Sequence, residues 1–172
     1  MTDVVFLDTE TTGLDPLRHE VWEVAYAVND GPIVTAYLPH SLRTADPAAL
    51  EMNGYWDRAP VGMSPCFGAL ADVELRRALT GVTVVGSNPA FDTAFLRARW
   101  GVAPWHYRLL DVATYAMPVL GYDRPASLKT VTDAVRANGF EVPEPDHSAA
   151  GDVETLRAVY SALAELAGRR RR

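Results

Sequence analysis

Cysteine is almost absent from this chain: Cys66 is the only one among 172 residues. A lone thiol excludes an internal disulfide framework and a cysteine-rich zinc site, and cytoplasmic residence follows as the default expectation. Lysine is as scarce, with Lys129 the only one, and glutamine is missing altogether, so basic charge rests on arginine. No apolar run approaches the roughly 18–20 residues needed to cross a bilayer, so no membrane association is expected. The start, Met1-Thr2-Asp3, has no basic region and does not read as a secretion signal. The net charge of −6 argues mildly against broad, nonspecific binding to polyanions. A cluster of acids that binds divalent metal would, however, make a bare sequence look more acidic than the loaded site.

What is present is ordinary for a folded protein: 48% hydrophobic and 22% charged residues. The length suits one compact domain, expected over residues 1–168, with no internal repeat and no convincing linker. Arg169 to Arg172 then form a basic tail, expected to be disordered. It reads either as a solvated, frayed end or as an electrostatic tether for a phosphate backbone.

Val4 to Leu7 is a short apolar run that ends in acids and then Thr12-Gly13, which predicts a buried strand carrying Asp8 and Glu10 to its end. Val21 to Val28 and Ile33 to Leu38 are further strand segments, joined by the turn signal Asn29-Asp30-Gly31. An antiparallel three-stranded meander is therefore expected first. Asp46-Pro47 and Ser64-Pro65 each place a capping side chain before a proline at the first helical position. The second of these helices should run to about Leu79. Val82 to Val85 is a compact β-branched strand. Asn88-Pro89 then caps a helix whose Phe91, Ala94, Phe95 and Ala98 recur at helical spacing, with a stop near Gly101. Leu109 to Val112 predicts a last strand, followed by helices over Ala113 to Leu120, from Ser127 to Asn138-Gly139, and from about Ser148 onward. Strands first and helix–strand alternation afterwards predict an α/β fold with a central mixed five-stranded sheet flanked by helices.

Three segments carry candidate chemistry. In Asp8-Thr9-Glu10 the two acids lie two apart on a strand and so share a face. Like charges so placed are costly to each other unless a cation sits between them, and Mg²⁺ or Mn²⁺ suits such oxygen ligands. The plainer alternative is two acids solvated at a loop mouth. Asp92 falls in a helical first turn, where the helix dipole alone would favour it. His147-Ser148-Ala149-Ala150-Gly151-Asp152 joins an imidazole to an acid through small residues only. Bulky side chains there would block approach by a ligand or by metal-bound water. An unpartnered acid facing inward from the last helix would be expensive. Four carboxylates and one imidazole suit a two-metal site for in-line displacement, with histidine handling the proton.

Together these motifs resemble the DEDDh branch of the DnaQ-like 3′→5′ exonucleases, which have a ribonuclease H-like fold. The likeness rests on Phe6-Leu7-Asp8-Thr9-Glu10-Thr11-Thr12-Gly13-Leu14-Asp15-Pro16, on Gly86-Ser87-Asn88-Pro89-Ala90-Phe91-Asp92 with Phe95-Leu96, and on His147 to Asp152 with Thr155. All three stand in family order and span nearly the whole chain. The resemblance implies that Asp8, Glu10, Asp92 and Asp152 hold two divalent cations, Mg²⁺ or Mn²⁺, and that His147 is the general base. It also implies that the backbone around Thr11 and Thr12, with Leu14 as an apolar wedge, holds the terminal nucleotide, supported by Asn88 and Phe91. Asp111 matches a family acid read as structural. Trp56, in Met52-Asn53-Gly54-Tyr55-Trp56, either stacks on a base or belongs to the core. The partner implied is the 3′ end of single-stranded DNA or RNA, and a homodimer is compatible with the family. Set beside the family's polymerase proofreading subunits, with their extra C-terminal domain and the glutamine-led clamp motif some relatives carry, the chain is expected to serve a role other than dedicated replicative proofreading. A ribonuclease H-like endonuclease or integrase, and a noncatalytic binding module, are the rival readings. Neither accounts for H-x-A-x-G-D with every acid retained.

Overall fold

The computed structural model describes residues 3–60 and 65–169. Five strands form one sheet in the order β3-β2-β1-β4-β5. Strands β1 (Val4–Thr11), β2 (Val21–Val28) and β3 (Val34–Tyr37) make the expected antiparallel meander. Strands β4 (Thr83–Gly86) and β5 (Leu110–Asp111) then add in parallel beside β1. The expected α/β architecture with a mixed sheet is therefore present. β3 is one residue shorter at each end than the apolar run suggested, while β1 is longer, running through Thr11. The acids Asp8 and Glu10 thus lie inside the ladder, opposite Ala25 and Glu23, and not beyond it.

Helices α1 (Pro47–Met52), α2 (Tyr55–Arg58), α3 (Pro65–Ala78), α4 (Pro89–Trp100), α5 (Val112–Leu120), α6 (Leu128–Ala137) and α7 (Ala149–Arg169) complete the fold. The sheet is covered on both faces, and alternation along β1 decides which side chain joins which core. Val5 and Leu7 point into one core with Leu75, Leu79, Phe95 and Leu96. Phe6 points into the other, with Val131, Val135, Val153, Leu156, Val159 and Leu163. In α7 those last four recur three or four apart and are all buried, which is the stripe a helix lays on a sheet. Each contributes about 1.5–3 kcal/mol by leaving water. Beneath α7 the sheet presents the small Ala25 and Ala27, so the helix sits close.

Caps fall mostly where the sequence placed them. Asp46 accepts from the Ala48 N–H and Ser127 from the Thr130 N–H. Ser64 lies outside the described residues. Asn88 precedes α4 as expected, but its side chain makes no cap; the residue is left-handed (φ 60°), and its N–H donates to Asp111 Oδ1 at 3.1 Å. Asp111 also accepts from the Ala113 and Thr114 N–H groups and from the Thr114 hydroxyl, so it is a structural acid joining β5, α5 and the start of α4. The four-residue α2 was not foreseen, because so short a helix carries no periodic signal. α7 extends through Arg169, whose guanidinium lies 5.2 Å from the Phe140 ring, so the tail expected from 169 starts no earlier than 170; residues 170–172 lie outside the described ones. No helix among the described residues is long and apolar enough to cross a membrane.

Asp111→Ala should lower unfolding free energy by about 1–2 kcal/mol in chemical denaturation, because it removes a cap and the tie to Asn88. An unchanged midpoint would remove Asp111 from its structural role.

Candidate active site

The two halves of the fold bring acids to one end of the sheet from opposite sides. Asp8 and Glu10 share the β1 face that looks toward α7, the face of Phe6. Asp152 approaches on that side from the first turn of α7. Asp92 comes from the other layer, in the first turn of α4, and is 4% exposed. It reaches the strand at Thr9, whose N–H and hydroxyl both donate to Asp92 Oδ1, at 3.0 and 2.7 Å.

Crowding shows in the acid–base properties. Asp8 is pushed well above the usual carboxylate range, first by burial and then by the charges of Asp92, Glu10 and Asp152, with Arg58 opposing. Burial lifts Glu10 to about 8, against the opposing charge of Arg58 and a hydrogen bond with Asn53. Burial lifts Asp92 to about 6, limited by its Thr9 hydrogen bonds. Asp152 is raised by burial too, with the Asp146 N–H and His147 working against it. The four acids therefore feel one another across the end of the sheet.

His147 is exposed and adopts a left-handed backbone (φ 59°). Its turn is knitted locally. The Ser148 N–H and hydroxyl donate to Asp146 Oδ1 at 2.9 and 2.7 Å, and the Asp146 N–H donates to Asp152 Oδ1 at 3.1 Å. A Cβ on Gly151 would lie 2.3 Å from Asp146 Oδ1. The missing side chain at 151 thus admits the Asp146 carboxylate.

The bend after β1 is an ordered loop. Thr11 is buried and its hydroxyl donates to the Gly13 carbonyl at 2.7 Å. Thr12 is fully buried; its N–H donates to the Glu20 carbonyl and its hydroxyl accepts the Glu20 N–H. Gly13 has φ 157°, and a Cβ there would meet the His19 ring at 2.6 Å. Leu14 projects outward, 74% exposed. Among the other residues expected at the substrate, Asn88 is exposed, and Phe91 is half-buried with its ring 4.9 Å from Phe95. Trp56 is 69% exposed, which rules out its core reading.

Sequence reasoning missed Arg58, Asn53, Glu23 and Asp146. Arg58 pairs with Glu23, which is 3% exposed, and donates to the His147 carbonyl at 2.7 Å. Asn53 donates to the Thr11 carbonyl at 3.0 Å. The turn dipeptide Asn53-Gly54 and the buried position of Glu23 in an apolar strand were the available signals. Nothing local marked Arg58.

Carboxylate oxygens are the donors that hard divalent cations take, and a crowd of raised acids is what such a cation would relieve. Among the described residues, no three His, Cys, Asp or Glu side chains already stand as a ligand set. Asp92 and Asp152 are instead engaged with Thr9 and with the Asp146 N–H. The donor chemistry fits, because those hydrogen bonds fall on Oδ1 of each acid and a carboxylate has two oxygens with several acceptor positions.

No family model and no curated protein matches the sequence. Solved structures do share the fold. One is E. coli exonuclease I in complex with a dT13 oligonucleotide, at TM-score 0.70 and 20% identity, covering 98% of this chain and 42% of that one. The same enzyme with a dA16 oligonucleotide gives 0.68 at 19%, covering 98% and 42%. A moderately thermophilic exonuclease I from Methylocaldum szegediense gives 0.63 at 18%, covering 96% and 41%. The chain thus spans less than half the length of these structures, and the likeness establishes the fold.

Raised carboxylates make the folded chain bind protons more tightly than the unfolded chain. That stabilisation is complete below the unfolded value, 4.5 for Glu10, and is lost as pH rises toward about 8. With divalent cations chelated, the denaturant midpoint should therefore fall across that window. Glu10→Gln should flatten the fall. A wild-type profile already flat between those limits would contradict the crowding.

Proposed function

We propose that the chain is a metal-dependent 3′→5′ exonuclease that releases nucleoside 5′-monophosphates from single-stranded DNA or RNA. The observation that carries this reading is the meeting of four acids from both layers, Asp8, Glu10, Asp92 and Asp152, with the exposed His147 beside them. Asp8, Glu10, Asp92 and Asp152 are the residues that would hold the cations. When bound, two Mg²⁺ or Mn²⁺ ions supply positive charge to the attacking and leaving oxygens of an in-line displacement.

The chain's own groups have distinct tasks. His147 accepts a proton from the water whose oxygen attacks the terminal phosphorus. The bond from phosphorus to the 3′ oxygen of the penultimate nucleotide breaks, and that oxygen takes up a proton. The exposed Leu14 and Trp56 offer apolar surfaces to the terminal bases, while Asn88, Phe91, Thr11 and Thr12 shape the floor. The oligonucleotide complexes of exonuclease I support single-stranded DNA as a substrate class. Discrimination of RNA would rest on the 2′-hydroxyl.

Purified protein with Mg²⁺ or Mn²⁺ should shorten 5′-labelled single strands one nucleotide at a time and leave 3′-blocked or circular strands intact. Cutting of a circle would mean an endonuclease. Asp8→Ala and Asp152→Ala should abolish turnover. His147→Ala should slow turnover by about 10²–10⁴-fold while divalent binding, followed by calorimetry, persists. Trp56→Ala should weaken strand binding by about 1–3 kcal/mol if a base stacks there; unchanged affinity would remove that contact.

A further inference from the structure

We infer that Arg58 is a positioning residue for His147, tying the buried Glu23 of β2 to the carbonyl of the histidine that takes the proton. The inference rests on the nuclease reading above. Helix α2 is only four residues long and cannot hold itself in place. Tyr55 anchors it: the Tyr55 hydroxyl lies 2.6 Å from His40 Nε2, and its ring sits edge-on to Trp22 at 5.0 Å. That anchorage delivers Arg58 across Trp22, with the guanidinium carbon 5.1 Å from the ring centroid.

From there the two ends of the guanidinium fork serve different segments. Nη2 pairs with Glu23, and Nη1 donates to the His147 carbonyl at 2.7 Å. Glu23 stands directly opposite Glu10 in the β1–β2 ladder, so it needs a cation of its own. His147 needs a tether for a separate reason. A left-handed backbone is unfavourable for a residue with a side chain, and the hydrogen bonds inside this turn join His147 and its neighbours Asp146, Ser148, Gly151 and Asp152 to one another and not to the sheet. Arg58 supplies a hydrogen-bonded link from the His147 carbonyl to the sheet, beside the apolar packing of Ala149. A planar fork can satisfy both acceptors together, whereas a lysine ammonium would reach one.

Three variants separate positioning from charge neutralisation: Arg58→Lys, Arg58→Met, and Arg58→Met combined with Glu23→Met. The single Met variant leaves a buried carboxylate without its partner and is expected to lose stability. The double variant removes both charges, and Arg58→Lys keeps the pairing with Glu23. In these last two, kcat on a single-stranded oligonucleotide should fall about 100-fold with KM changed less than about three-fold. The NMR signal of the Ser148 amide, whose peptide contains the His147 carbonyl, should shift and exchange faster with solvent. If either folded variant keeps wild-type kcat or an unmoved Ser148 signal, Arg58 serves only Glu23 and the inference is overturned. If the wild type itself hydrolyses nothing, the nuclease reading fails separately, and the Ser148 signal still decides whether Arg58 holds the turn.

Discussion

Carboxylates repel one another, and burial makes the repulsion worse by removing the water that screens it. Asp8, Glu10, Asp92 and Asp152 are nevertheless brought within electrostatic reach at one end of a sheet. Much of the surrounding structure answers that single cost. Thr9 spends its N–H and its hydroxyl on Asp92, the Asp146 N–H goes to Asp152, and Arg58 sets a positive charge beside Asp8 and Glu10. The two cores on either face of the sheet supply the rigidity against which the acids are held. Without that apolar frame, α4 and α7 would relax apart and the acids would separate.

A site built this way is stabilised elsewhere and strained locally. His147 sits in a left-handed conformation within a turn that Asp146 and Ser148 knit together. Such strain persists only when its surroundings over-determine it, and it clusters where chemistry is done. Leu14 and Trp56 are the opposite case. Both are large apolar side chains left in water, on segments tied down by Glu20, Asn53 and Tyr55. Exposed apolar side chains on held backbones suit the base contacts proposed for them.

Legibility in the sequence followed the range of the interaction. Strands β1, β2 and β4 were readable because apolar, β-branched runs end at clear punctuation, and the caps Asp46 and Ser127 were readable because capping acts over three residues. The motif acids were readable as a set because their order and spacing resemble a known pattern. Asn88 shows the limit: the dipeptide Asn88-Pro89 located the start of α4, yet the contact there runs from its backbone to Asp111, 23 residues away. Gly151 shows another. The sequence required a small residue, and only the packed turn showed that Asp146 is what the missing side chain admits.

What the sequence by itself determined is local and chemical: which segments are extended or helical, which face of β1 bears two acids, and which residue types can bind cations or move a proton. These follow from side-chain periodicity, capping and donor chemistry, all of which act along the chain. The tertiary structure alone decided that Asp92 crosses from the far layer to Thr9, that Trp56 lies in solvent, and that Arg58 spans Glu23 and the His147 carbonyl. Those pairings join residues 83, 35 and 89 positions apart. Their geometry is set by how two helical layers pack on one twisted sheet, and no short-range pattern encodes that.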